Sequence, residues 1–216
     1  DARPSRSGGP TQSSFASVRV ADPSLSLAAM QRDRAISLVE EAIRRRGKVQ
    51  FERLTSAGKT YWNGIPLQVT QDLVLVATLD QFRLDGFAVF RWEEVAAVRS
   101  GDNERFFERV MRAEGLLSNF SEPEPLRLDD FGTVLADVRS RAGYVIIECE
   151  RLRRPTFHIG ELAEVTRDAA FLRYVQANGI KDAKPTRIPV EDVTMVRWGE
   201  HYVRMYGKYC VCETHH

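Results

Sequence analysis

Cysteine and long hydrophobic runs are both scarce in this sequence, and each absence excludes a class of protein. Only three of the 216 residues are cysteine, Cys149, Cys210 and Cys212, which are too few and too unevenly placed for a disulfide framework. No apolar run approaches the roughly 18 residues that suggest a membrane-spanning helix. We therefore expect a cytoplasmic protein with no membrane segment.

An excess of one charge sign is missing as well. The 31 Lys and Arg residues against 30 Asp and Glu give a formal net charge of +1, so no strong global field draws the chain to nucleic acid or anionic lipid. This balance still allows a local basic patch. With 43% hydrophobic and 28% charged residues, the composition is typical of a globular protein with one large domain or two small ones.

Catalytic motifs are the third absence. The sequence contains no Walker pattern, no dinucleotide-binding fingerprint and no His-Glu-x-x-His motif. His158 and His201 have no nearby Ser or Cys in a recognisable nucleophile context. Cys149 lies in an apolar strand pattern, where a buried, inert thiol is usual. We predict that the protein is not an enzyme and needs no cofactor.

What the sequence does contain is an internal repeat. Val-Thr-x-Asp occurs at residues 69–72 and again at 165–168, each time followed by an apolar run. With an offset of 96 the matched pairs include Gly47 with Gly143, Val49 with Val145, Glu52 with Glu148, and Gly64 with Gly160. After a two-residue insertion the offset becomes 98, and the pairs include Val95 with Val193, Val98 with Val196, Arg99 with Arg197, and Gly101 with Gly199. Matches in one order, with one small insertion, indicate two related units.

Each unit opens with a helical pattern that a glycine ends, and five short strand patterns follow. The predicted organisation is a disordered extension (1–31), a first repeat with a tail helix (32–116), a linker (117–127), a second repeat (128–209) and a tail (210–216). For the extension, a fragment end, a misassigned start and a processed targeting segment stay open as alternatives.

Asp72 and Asp168 mark the turn between the second and third strands of each unit. A short acidic side chain suits such a turn because it can hydrogen-bond nearby backbone amides. Ligand binding by these aspartates is the alternative.

A helix followed by five short, strongly bent strands resembles the Sm-like fold, a small SH3-like barrel. The glycine that opens the second strand, the acidic turn and the apolar third strand are similar to the first Sm signature, and "VAAVRSG" is loosely similar to the second. The segment "FRLDGFAVFRWEEVAAV" is also similar to one that recurs in bacterial proteins of this pattern. The resemblance implies a mainly β, α+β protein made of two tandem helix-plus-five-strand Sm-like or SH3-like barrels. The family's RNA-binding asparagine has no counterpart, since other residues follow the two aspartates: Leu73, Val74, Ala169 and Ala170.

Assembly is a further expectation from this resemblance. Sm-like proteins join exposed strand edges into rings, and an exposed edge has to be paired, covered or charged. A tandem chain offers another solution, because one repeat can pair with the other. We therefore expect a monomer or a small dimer.

Two basic clusters are candidates for phosphate or RNA binding, which requires several cations on one surface. The first contains Arg44, Arg45, Arg46 and Lys48, and the second contains Arg151, Arg153 and Arg154. A structural role is the alternative, because cations at a helix C-terminus complement the helix dipole. We predict a non-enzymatic binding or interaction module with an unknown protein partner, and RNA binding through these clusters is the alternative function.

The tail carries four side chains that can ligate metal: Cys210, Cys212, His215 and His216. Tetrahedral zinc accepts two Cys and two His ligands. Structural zinc sites usually take their ligand pairs from two separate elements, however, so we predict no metal site.

Overall fold

A computed structural model of the protein describes residues 23–56, 58–117 and 123–212, without the side chains of residues 23–29. Strands predominate in these residues and four α-helices accompany them, which confirms the predicted mainly β, α+β class. None of the helices described is long and apolar enough to cross a bilayer.

The first half of the chain contains two helices and five strands. They are α1 (Pro23–Arg45), β1 (Val49–Thr55), β2 (Gly58–Val69), β3 (Leu73–Asp80), β4 (Arg83–Arg91), β5 (Val95–Arg99) and α2 (Asp102–Ala113). A single 3₁₀ turn, Trp92–Glu94, joins β4 to β5.

The second half repeats this order and adds two short strands. Its elements are α3 (Phe131–Ala142), β6 (Tyr144–Cys149), β7 (Thr156–Val165), β8 (Ala169–Tyr174), β9 (Ile180–Lys181), β10 (Thr186–Pro189), β11 (Met195–Trp198), α4 (His201–Tyr209) and β12 (Val211–Cys212). The additional pair, β9 and β12, forms a separate two-stranded parallel sheet. Strand β9 arises from the segment that holds the two-residue insertion.

Helix α1 corrects two predictions. It begins at Pro23, so residues 23–31 belong to a helix rather than to the extension, because the leucines and alanines of this stretch are strong helix formers. Residues 1–22 lie outside the described part. At the other end, the left-handed residue is Arg46, with φ 51°. The amide of Gly47 then bonds to the carbonyl of Ala42 at 2.8 Å, as expected one position beyond a left-handed cap.

The other ten strands form one continuous antiparallel sheet in the order β10-β8-β7-β6-β11-β4-β3-β2-β1-β5. The two halves have the same internal order, since β5-β1-β2-β3-β4 corresponds to β11-β6-β7-β8-β10. The structure therefore contains one open sheet where the sequence predicted two separate barrels. The reason is that β4, an edge strand of the first half, pairs with β11 of the second half.

The second strand of each half bends at the same place. Register shifts occur between Pro66 and Gln68 in β2 and between Leu162 and Glu164 in β7, 96 residues apart. A glycine precedes each bend because the backbones approach closely there. A Cβ on Gly160 would overlap the carbonyl oxygen of Arg173.

The two halves also share their cores. Met195 of β11 is fully buried among first-half residues that include Phe51 and Phe90. Conversely, Leu75 and Val89 of the first half pack in the cluster that surrounds α3. We call the β4–β11 pairing and these contacts the seam.

The segment predicted as a linker, 117–127, is packed against the core at its C-terminal end. Leu126 and Leu128 are buried, because they complete the core beneath α3. The side chain of Gln68 donates a hydrogen bond to the carbonyl of Leu126 at 2.9 Å. Residues 118–122 lie outside the described residues. The segment from Pro123 onward is part of the packed structure.

Candidate functional site

The structure places Asp72 in the β2–β3 turn and Asp168 in the β7–β8 turn. The backbone hydrogen bond expected of these aspartates is made by the preceding threonine instead. Thr70 Oγ1 accepts the amide hydrogen of Leu73 at 3.1 Å, and Thr166 makes the equivalent bond at 3.2 Å. In each repeat, threonine therefore stabilises the turn.

The two aspartate carboxylates face arginines of the same chain. Asp168 lies 2.9 Å from the guanidinium of Arg187, and the hydroxyl of Thr166 donates to it at 3.0 Å. These two donors lower the pKa of Asp168. Asp72 lies 3.7 Å from Arg32. Both carboxylates thus have a local counter-charge.

The structure separates the members of the first basic cluster. Arg44 pairs with Glu41 on the exposed face of α1 at 2.7 Å. Arg45 pairs with Glu108 of α2 at the same distance. Lys48 is buried, with 4% of its surface exposed. The cluster, whose fourth member Arg46 forms the helix cap, is therefore not one free cationic surface.

The second basic cluster lies at the other end of β1. Arg151 pairs with Glu93 and Glu94 in the turn after β4, whereas Arg153 and Arg154 are exposed. Arg53 pairs in register with Val95, directly after that turn, whereas Lys48 precedes β1. A strand of this length spans roughly 20 Å. The two clusters do not meet on one surface.

The metal-competent tail is only partly described, since His215 and His216 lie outside the described residues. Cys210 Sγ is hydrogen-bonded to the hydroxyl of Tyr144 at 3.0 Å, and Cys212 is exposed in β12. No group of three or more His, Cys, Asp or Glu side chains within the described ranges could hold a metal ion.

Of the remaining nucleophile and base candidates, Cys149 is buried, His158 is half-buried and His201 is exposed. Burial raises the pKa of the Cys149 thiol to about 11, which keeps it protonated and inert at neutral pH. Burial lowers the pKa of His158, whose Nε2 is hydrogen-bonded to the hydroxyl of Thr156 at 3.0 Å.

Lys48 lies in a polar cleft of about 380 Å³ between α2 and the outer face of the first-half sheet. We call it the Lys48 cleft. Its hydrogen-bonding side chains are Lys48, Gln50, Asn63, Gln81, Arg99, Asn103 and Glu104. Phe106 and Phe107 of α2 form one wall. The cleft therefore combines two cations, one carboxylate, four carboxamides and two aromatic rings.

Strand register explains the floor of this cleft. Val49 and Phe51 are fully buried in the core, so Gln50 between them points to the opposite face of the sheet. Gln50 is directly opposite Asn63 of β2 and directly opposite Arg99 of β5. Three polar side chains thus form one row across three adjacent strands.

The buried ammonium of Lys48 is held by specific partners. Lys48 Nζ donates to Asn63 Oδ1 at 2.9 Å and lies 3.7 Å from Glu104 Oε1. It also lies 4.7 Å from the ring centroid of Phe107, within the range of a cation–π interaction. Burial lowers the pKa of Lys48, and the nearby carboxylate of Glu104 opposes this effect.

Glu104 is fixed at the start of α2. It accepts the amide hydrogen of Gly101 at 2.7 Å and a guanidinium hydrogen of Arg99 at 3.1 Å. Burial alone would raise its pKa, but these two donors outweigh burial and hold the pKa of Glu104 below its ordinary value. The carboxylate is therefore ionised at neutral pH and orients both Arg99 and Lys48.

Unused hydrogen-bonding groups face the cleft. Gln81 and Asn103 are exposed at its rim. Gln50 donates to Asn63 Oδ1 at 3.3 Å, which leaves its own carbonyl oxygen for another donor. Carboxamides can both donate and accept hydrogen bonds, so the cleft can bind a polar ligand from several sides.

No family model, curated protein or solved structure matches this chain.

Sequence reasoning identified Lys48 but missed the rest of the cleft. Gln50, Asn63 and Arg99 are isolated polar residues in three separate strands, and only strand register brings them together. One signal was available, because Gln50 and Glu52 alternate with Val49 and Phe51 and so mark an outer face that carries polar side chains.

Proposed function

We propose that this protein is a non-enzymatic binding module that takes a small polar anion in the Lys48 cleft. The observation that carries the proposal is a buried ammonium at the base of a cavity whose other polar side chains are four neutral carboxamides, one further cation and a single carboxylate. Buried lysines without a partner are rare, and here Glu104 balances only one of two cations. Lys48 and Arg99 against Glu104 leave one positive charge for a ligand.

Binding is favoured over catalysis by the contacts of Lys48. Burial lowers the pKa of Lys48, but its ammonium donates to Asn63 and faces Glu104, and both contacts stabilise the charged form. A lysine nucleophile would need the neutral amine. The carboxylate beside it is ionised and held by two donors, so it has no free proton to transfer as an acid.

The scaffold of this proposal is a pair of Sm-like units joined in one chain. The shared strand order of the two halves and their equivalent bends support it. We further propose that the protein works in the cytoplasm as a monomer or small dimer, because the seam already pairs one edge of each half. Light scattering at micromolar concentration tests the assembly, and a mass of three or more chains would contradict it.

The ligand proposal is tested by thermal unfolding of the full chain with inorganic phosphate, AMP, UMP and glutamate. We expect at least one of these anions to raise the unfolding temperature, since a ligand that binds only the folded state stabilises it. Lys48→Met should abolish the rise. Arg44→Gln, which removes a charge from the same basic cluster but lies outside the cleft, should retain it. A panel with no effect on the wild-type protein would contradict the proposal.

RNA binding is the second candidate, and the exposed ring of Phe106 favours it. Half of this side chain is accessible at the rim of the cleft, beside Lys48 and Arg99. An aromatic face next to cations suits a stacked base and its phosphate. Anisotropy of a labelled ten-nucleotide single strand should then decrease steeply as salt rises, and Phe106→Ala should weaken binding. Binding that is independent of salt would exclude this candidate.

A further inference from the structure

A second cavity, separate from the Lys48 cleft, is lined mainly by the second half of the molecule and by Phe87 of β4. Its volume is about 720 Å³, which is within the range of small-molecule sites. The C-terminal end of α3 and one face of α4 form two sides, and strands β4, β6 and β11 form the floor. We call it the Trp198 cavity, after the tryptophan at the end of β11.

The walls of the Trp198 cavity are largely aromatic. Phe87, Tyr144 and Trp198 line it together with Val203 and Ala142. The rings of Phe87 and Trp198 are 5.6 Å apart, a distance typical of packed aromatic pairs. An apolar ligand would therefore find a surface of π faces and aliphatic groups.

The cavity is preformed because its walls are fixed by other contacts. Val203 of α4 is buried against Ile146 and Ile159. The N-terminal amide of α4, that of His201, donates to Asp85 Oδ1 of the first half at 2.6 Å. Gly207 packs directly against Tyr144, where a Cβ would lie 3.1 Å from the ring. Helix α4 thus cannot easily move inward to fill the space.

Two arginines and one carboxylate lie at the mouth of the cavity. Arg141 donates to the carbonyls of Glu124 and Pro125, and this contact holds the chain before α3 in place. Arg204 is exposed, and in the part of the chain that the structure describes its guanidinium has no ion-pair partner. With the carboxylate of Glu124 included, the mouth carries one excess positive charge.

We propose that the Trp198 cavity binds an apolar monocarboxylic acid, with the apolar body between the aromatic walls and the carboxylate on Arg204. The planar fork of arginine matches a carboxylate through two parallel hydrogen bonds. A single excess charge at the mouth suits a monoanion. The aromatic walls favour an aromatic body over an aliphatic one.

Isothermal titration of the full chain with 1-naphthoate, decanoate and uncharged 1-naphthamide tests this proposal. We expect 1-naphthoate to bind more tightly than 1-naphthamide by about tenfold, which is the range of one charge-assisted contact. Arg204→Gln should remove this difference by weakening 1-naphthoate alone. Arg139→Gln is the matched control, because Arg139 is an exposed arginine of α3 that does not line the cavity.

Three results would overturn the proposal: no binding of either acid, measurable and equal binding of 1-naphthoate and 1-naphthamide, or equal effects of Arg204→Gln and Arg139→Gln. If decanoate binds and neither naphthyl compound does, the result would support a carboxylic acid as the ligand and show that its apolar body is aliphatic. Ala142→Phe gives an independent check, since a larger side chain on the wall should block both acids. Its thermal midpoint, compared with that of the wild-type protein, shows that it is folded. The Lys48→Met variant should bind 1-naphthoate normally, which separates this site from the proposed anion cleft.

Discussion

The buried ion pair between Arg53 and Glu150 should be among the most sensitive points of the seam. Arg53 is fully buried in β1 of the first half, and both of its terminal nitrogens bond to the carboxylate of Glu150 in the second half. The guanidinium also lies 5.1 Å from the ring centroid of Phe90. Glu150 is held in turn by the hydroxyl of Thr194 at 2.8 Å.

The substitution Glu150→Gln removes the charge and keeps the shape. At a separation of ~3 Å and an effective dielectric constant of ~20, the lost attraction is about 5 kcal/mol. The amide of glutamine still accepts a hydrogen bond worth about 1 kcal/mol. Glu94 lies close enough to interact with Arg53 and compensates part of the loss by ionising. We expect the free energy of unfolding to decrease by about 3 kcal/mol, which agrees with the usual cost of breaking a buried pair.

A double-mutant cycle isolates the interaction from other effects. Arg53→Met alone should also destabilise, because it leaves the carboxylate of Glu150 without its cation. The double variant Arg53→Met/Glu150→Gln should approach wild-type stability, since apolar replacement of a buried pair is often neutral. Urea unfolding followed by circular dichroism measures all four proteins. A decrease below about 1 kcal/mol for Glu150→Gln, or additive single effects, would refute the reasoning.

Three further predictions follow from burial and close packing. Burial raises the pKa of Glu94 from 4.5 to about 7, so the folded protein keeps a proton that the unfolded chain releases. This stabilisation is complete below pH 4.5 and is lost as the pH rises through the folded value. Urea unfolding should therefore show stability decreasing from pH 5 to 8, by less in Glu94→Gln, and an equal decrease in both proteins would contradict the assignment. Gly160→Ala should lower the free energy of unfolding by about 2 kcal/mol or more, because the Cβ overlaps a carbonyl of β8. Gly179→Ala should lower it by less in the same urea titration. At Gly179 the left-handed backbone strains any side chain, but no neighbouring atom is near. Maleimide should label exposed Cys212 and leave Cys149 unmodified until the protein unfolds, as mass spectrometry would detect. Rapid labelling of Cys149 in the native protein would contradict its burial.

The sequence predicted strands well where hydrophobic pattern and glycine placement agree. The apolar run from Leu73 became β3, and the glycines at 64 and 160 lie before matched bends in the second strands. Local pattern also placed α3, whose N-cap Asp130 accepts the amide hydrogen of Thr133 at 2.7 Å and whose end is Gly143, with φ 64°. These features depend on neighbours within a few residues, which a sequence displays directly.

The seam and the Lys48 cleft could not be predicted from local sequence pattern. Pairing of β4 with β11 joins residues that are about a hundred positions apart, and edge strands show no periodicity that names their partner. Lys48 follows three arginines in the sequence and so has the pattern of a solvated cation, although α2 covers it. The prediction also placed the left-handed residue at the end of α1 one position too late. Glycine adopts a positive φ more easily than arginine does, so the sequence favoured Gly47, whereas Arg46 has this conformation.

Because β4 and β11 belong to one polypeptide, the seam is governed by tether length and not by protein concentration. Strands held by a covalent connection meet at an effective concentration in the millimolar range or above, so dilution does not separate them. Damage to the seam should consequently appear as loss of folding, with a midpoint independent of protein concentration, and not as dissociation into subunits. The arrangement also frees the two surfaces from self-complementarity, a requirement of symmetric homodimers. Each half can accumulate substitutions that only its covalent neighbour has to match, and a single gene can therefore encode two faces with different ligands.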